Sequence, residues 1–172
     1  METFKLRSKD LRSKTLFMSS EKVNDLLNNT FKRISEIFGE EKKDQYPEGV
    51  LLLGSIIEES LTILITIKLI MLAFPSIGKP NFELTSKDMK EMMNYYAGLS
   101  FYHKIRTAFI LGLIDNVTYK NLESFKEKRN RFIHSFFIEE ERPDPQKIYE
   151  IASIILNNLR KKLKYYKLLG KF

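Results

Sequence analysis

A chain of 172 residues, 43% hydrophobic and 30% charged, has the make-up of one globular domain large enough for its own core. It holds no cysteine and two histidines, which excludes disulfides and thiolate metal sites and leaves no HExxH-type zinc spacing. The formal charge of +7 favours a polyanionic partner, nucleic acid or an anionic membrane surface, over a basic protein.

Residues 1–18 carry Lys5, Arg7, Lys9, Arg12 and Lys14 with no continuous apolar run, so they read as a basic arm or short helix and not as a signal peptide. Ser19 and Ser20 are good N-cap residues for a helix reaching Phe38, with Val23, Leu27, Phe31, Ile34 and Phe38 facing inward. Gly39 is its natural end. The charged stretch Glu40–Gly49, with Tyr46-Pro47, reads as a loop.

Val50–Phe74 is apolar almost all round, the mark of a central helix touched from several sides. Glu58, Glu59 and Lys68 interrupt it, so it is expected to be a buried core helix and not a membrane span. The chain is accordingly expected to be soluble and cytoplasmic. Glu58-Glu59 could be a carboxylate pair for acid–base work, but an exposed or arginine-paired edge is the preferred reading.

Pro75–Pro80 is a loop without the glycine spacing of a phosphate-binding turn. Thr85 or Ser86 then caps a short helix with Met89, Met92, Met93 and Tyr96 facing in, ending at Gly98. Ser100–Leu113 follows, with Phe101, Ile105, Ala108 and Phe109 as its stripe and Gly112 at its end. Asp115 is placed to cap a helix from Asn116 to about Phe137, in which Tyr119, Leu122, Phe125, Phe132, Ile133 and Phe136 share an apolar face. Glu139–Pro143 reads as an acidic turn, and Asp144-Pro145 as a strong helix start. In the last helix Ile148, Ile151, Ala152, Ile155, Leu159, Leu163 and Tyr166 are in register. No strand is required, so the expected fold is an all-α antiparallel bundle of five or six helices forming a single domain.

The chemistry-bearing cluster is Arg129-Asn130-Arg131 followed by His134. Lys126, Asn130 and His134 recur every fourth residue and so line one helix face. Arg129 stands five residues before His134, roughly 140° around the axis, so one helix cannot easily aim both side chains at one small target. Two copies across a two-fold axis could each lend one of them to a shared cleft.

Arg-Asn-x-x-x-His near the end of an amphipathic helix resembles the signature of the HEPN superfamily. The preceding Lys104–Asp115, ending Gly112-Leu113-Ile114-Asp115, is similar to the helix and turn before that motif in the mannitol-operon-repressor-like branch. The resemblance covers roughly residues 100–137. It implies a metal-independent endoribonuclease without cofactor, a homodimer with Arg129, Asn130 and His134 as catalytic residues. It also implies a place in defence or stress response and an antitoxin or regulatory protein as partner. A non-catalytic HEPN-like interaction dimer is the rival implication.

In such an enzyme the substrate's 2′-hydroxyl attacks the neighbouring phosphate. His134 suits the removal of its proton, since imidazole exists in both forms near neutrality. Arg129 suits the charge that builds on phosphorus, and Asn130 could orient the imidazole or contact the phosphate. The products would be a 2′,3′-cyclic phosphate and a 5′-hydroxyl end. Lys126 is the best placed additional RNA contact, ahead of Arg131, Arg106 and Lys128, each of which is also an ordinary surface charge. Glu127 is expected to pair with Arg131, and His103 to be structural or exposed. At the C-terminal end Arg160, Lys161 and Lys164 either complement the helix dipole or track RNA, with Tyr165 and Tyr166 available to stack on bases. Phe136 stands where the toxin branch commonly carries a modifiable tyrosine, so control by nucleotidylation there is not available to this chain.

Overall fold

A computed structural model describes residues 20–73, 91, 94–135 and 142–169, with side chains at 28–69, 71, 72, 91, 94–135 and 142–163. Among the described residues the regular structure is entirely helical. Five main helices follow in order: α1 (Ser20–Gly39), α2 (Tyr46–Ala73), α3 (Phe101–Ile110), α4 (Asn116–His134) and α5 (Pro145–Leu169). A single 3-10 turn, Lys43–Gln45, joins α1 to α2, and residues 94–97 are helical ahead of the turn at Gly98.

The fold is a helical bundle built round α2, which packs against all four of the other main helices. Its Val50, Leu53, Ile57, Leu61, Leu64 and Ile65 are all but sealed from solvent. Thr62 and Thr66 are buried as well, and each donates its hydroxyl proton to the carbonyl one turn back, at 2.9 and 2.8 Å. That bond is what lets a polar side chain sit in such a helix at little cost. By length and composition a 27-residue helical stretch, Lys43–Leu69, could cross a membrane, but 61% of its apolar window is buried by the rest of the fold. It is the core helix of the bundle.

The local signals explain the boundaries of α3, α4 and α5. Ser100 caps α3, its Oγ accepting the His103 N–H. Gly112 follows α3 at φ 66°, a left-handed conformation that costs glycine nothing and other residues about 1 kcal/mol or more. Asp115 caps α4, its Oδ1 accepting the Thr118 N–H at 2.7 Å. This bond holds the Asp115 carboxyl below the ordinary carboxylate range, with Lys162 on α5 adding to the shift. Asp144 caps α5 in the same manner through the Gln146 N–H at 2.9 Å, with Pro145 as the first helical residue.

Four expectations are corrected. The loop before α2 is shorter than Glu40–Gly49, since α2 starts at Tyr46 with Pro47 in its first turn, where a missing N–H goes unnoticed. Phe31 does not belong to the inner face of α1. It is 36% exposed, while Ile37, which the helical register did not single out, is fully buried. Phe109 also turns outward, at 41% exposed, stacking obliquely on Tyr119 with ring centroids 4.7 Å apart. The turn after Ile110 takes the core role expected of Phe109, by burying Leu113 and Ile114. Lastly, α4 ends at His134, with Ser135 as its C-cap. The expected basic arm at 1–18, the loop Pro75–Pro80, Met89, Met92, Met93, Phe136 and the side chains of Val23, Leu27, Lys164, Tyr165 and Tyr166 lie outside the described residues.

Candidate functional site

The buried face of α4 is set by Leu122, Phe125 and Phe132, and Arg129 lies among them on the same side. Its guanidinium runs across α2 at Gly54, where a Cβ would come within 2.5 Å of Nε. Glycine at 54 is what makes room for it. From there Arg129 Nη1 reaches Glu58 Oε1 at 3.4 Å, and its Cζ lies 6.0 Å from the ring centre of Phe101. The other carboxylate oxygen of Glu58 faces Lys104 Nζ at 3.6 Å. Arg129 and Glu58 are each 18% exposed and Lys104 only 4%. One carboxylate from α2 thus sits between cations from α3 and α4.

Of the two readings of Glu58, the arginine-paired edge is therefore the observed one. Arg129 is the partner, 71 residues along the chain. Lys104 is the member that sequence reasoning missed. Its position on the buried face with Ile105 and Ala108 was the available signal, but lysine is so seldom buried that its residue type argued against it.

His134 occupies the last position of α4 and is exposed, as is Asn130 one turn earlier. Among the described residues neither makes a side-chain hydrogen bond or ion pair. The motif residues thus diverge within one protomer, with Arg129 directed to the core and Asn130 and His134 to solvent. Lys126 is half-buried: it bonds Glu123 Oε2 at 2.9 Å and lies 4.8 Å from the ring centre of Tyr102. Arg106 approaches the same ring, at 5.6 Å, and donates to the Tyr102 hydroxyl at 2.9 Å. The structure therefore gathers Lys126 and Arg106 round one aromatic side chain on the α3–α4 surface. His103 is exposed, its Nδ1 2.8 Å from Ser100 Oγ, in keeping with a structural or exposed role. The expected Glu127–Arg131 pair does not form. Among the described residues the acid that pairs on α4 is Glu123, three residues before its lysine.

Lys128 and Arg131 come together at the other edge of α4, where they border a cleft of about 240 Å³ with Pro143, Asp144 and Lys147. Lys147 was not among the expected contacts. Only the antiparallel packing of α4 on α5 brings it there. The same packing separates the C-terminal cations from the motif. Asn158 on α5 donates to Thr118 Oγ1 at 3.2 Å, so Arg160 and Lys161 lie beyond the start of α4, and Thr118 is about 24 Å along the axis from His134. Both are exposed, and Arg160 borders a groove with Phe31 and Tyr149 between α1 and α5. Glu139, Glu140 and Glu141 lie outside the described residues. Among the described residues no three His, Asp or Glu side chains converge as metal ligands.

No family model, curated protein or solved structure matches this chain.

Proposed function

We propose that the chain is a metal-independent endoribonuclease of HEPN type, working as a homodimer in which Arg129 of one copy and His134 of the other serve one cleft. The observation that carries this reading is the divergence of the two side chains on α4, with an exposed, unengaged imidazole at the helix end and a guanidinium turned inward. A single protomer cannot bring both to one phosphate, whereas a two-fold pair can. His134 would take the 2′-hydroxyl proton, Arg129 and Asn130 would hold the phosphate, and the cationic surface of α4 would draw in the RNA backbone.

The test is cleavage of a mixed single-stranded RNA in EDTA, with the ends of the products identified. Wild-type protein is expected to leave 2′,3′-cyclic phosphates, and His134→Ala to leave the RNA intact. His134 is the cleaner site to vary, because it is exposed and its removal does not disturb the core. Arg129→Ala should also be inactive. Mixing the two dead variants should then restore about a quarter of wild-type activity, because half the dimers are mixed and each has one of its two sites intact. No cleavage by folded wild-type dimer, or full cleavage by His134→Ala, ends the catalytic reading.

One observation favours a second reading, that of a non-catalytic interaction dimer. Arg129 is already engaged by Glu58, and the exposed apolar Phe109, Ile110 and Val117 lie at the end of α3 and the start of α4, far from His134. A dimer built there would not unite the motif residues. If Ile110→Lys turns a dimer into a monomer, that reading gains the ground the first one loses.

A further inference from the structure

We infer that the cleft between the last turns of α4 and the first turn of α5 is a phosphate subsite for the backbone of single-stranded RNA, with Lys147 as a contact alongside Lys128 and Arg131. The inference rests on the reading of the chain as an RNA-acting protein and assigns a place to its substrate. Lys128 and Arg131 lie three residues apart on α4 and so project to one side, and Lys147 meets them from α5 across a cleft of about 240 Å³. Among the described residues none of the three cations has an ion-pair partner. Asp144 borders the cleft as well, but its Oδ1 accepts the Gln146 N–H as the cap of α5. Among the described lining residues, three cations thus stand against one carboxylate.

Like charges round one cleft repel one another, and an anion between them reverses the sign of the interaction. A phosphodiester suits the geometry. Arg131 can offer two parallel N–H groups to its oxygens, while the lysines add point charges on flexible stems. The location agrees with the proposed chemistry, because Arg131 precedes His134 by three residues and is its neighbour on the next turn. A strand with a phosphate in the cleft would run past the imidazole. A membrane surface would be met better by cations protruding from a broad face than by cations round a recess between two helix ends.

The experiment is a titration of a fluorescent 2′-O-methyl oligonucleotide, which binds as single-stranded RNA but offers no 2′-hydroxyl to attack. Binding is thereby read apart from cleavage. Lys128→Gln, Arg131→Gln and Lys147→Gln, singly and together, are compared with a control carrying Lys32→Gln, Lys68→Gln and Lys120→Gln, none of them at the cleft. Both triple variants change the net charge equally, at exposed or half-exposed positions that leave the core intact. Each single cleft variant is expected to weaken binding about threefold, and the slope of log affinity against log salt should shrink by about 2 in the cleft triple variant. Equal losses in the two triple variants, a larger loss in the control, or no binding by wild-type protein would each overturn the inference. So would a cleft variant that loses capture by phosphatidylserine vesicles and keeps its RNA affinity. His134→Ala should bind the oligonucleotide as wild type does. Absence of cleavage by wild-type protein would therefore end the ribonuclease reading while leaving this measurement intact.

Discussion

At the scale of single residues, the Arg129–Glu58–Lys104 cluster is the most demanding feature of the molecule. It needs a carboxylate on α2, a lysine and an arginine on two further helices, and the absence of a side chain at Gly54. Gly54→Ala offers a test with a sign change. Alanine gains about 1 kcal/mol over glycine inside a helix, but a Cβ 2.5 Å from Arg129 Nε imposes overpacking of about 1–3 kcal/mol. The substitution should therefore destabilise the native chain in urea unfolding. In an Arg129→Ala background the obstruction is gone, and the same substitution should stabilise. Equal effects in both backgrounds would mean that the guanidinium does not occupy that place. Glu58→Gln should cost about 3 kcal/mol, since it leaves the largely buried Arg129 guanidinium facing a neutral group. The divergence of Arg129 from His134 could be read in advance, because five residues on a helix fix the angle. The identity of Arg129's partner could not, because a contact across 71 residues depends on how helices pack and not on local spacing. Lys147 escaped for the same reason.

At the scale of elements, the caps carried most of the legible information. Asp115 and Asp144 were placed from sequence at the starts of α4 and α5, and both accept the backbone N–H bonds that define such caps. Asp115→Ala should cost about 1 kcal/mol of stability. The pH dependence follows from the lowered carboxyl pKa of Asp115. A carboxyl held lower in the folded than in the unfolded state contributes stability that is fully present above its unfolded value near 4, and that is lost as pH falls through the folded value. The stability gap between wild type and Asp115→Asn should accordingly narrow as unfolding is followed from pH 6 down to pH 3. A gap that stays constant over that range would show that the carboxylate charge plays no part in the cap. What was not legible was which way the margins of a stripe turn. Phe31 and Phe109 both keep helical register with buried residues, yet each lies at the edge of its face, where the neighbouring helix decides the outcome. Periodicity gives the centre of a buried stripe more securely than its borders.

At the scale of the whole molecule, α2 links the elements into one unit. Its apolar composition signalled a helix contacted from several sides, and α1, α3, α4 and α5 all pack on it. The motif arginine is tied to the same helix through Glu58, so the order of the site depends on the order of the core. Leu61 is fully buried in α2, within the single core cluster that spans all five main helices. Leu61→Ala should remove about 3 kcal/mol by deleting buried methyl groups and leaving a cavity that the packed helices cannot close. Because the helices share this core, the loss should appear in every probe at once. Helix content by far-ultraviolet circular dichroism and tyrosine fluorescence, from Tyr46, Tyr96, Tyr102, Tyr119 and Tyr149 among others, should give coincident urea transitions for both proteins, with the midpoint lower in the variant. Separated transitions would mean that part of the bundle unfolds on its own. The motif helix could then lose its tie to Glu58 while the rest of the core remained.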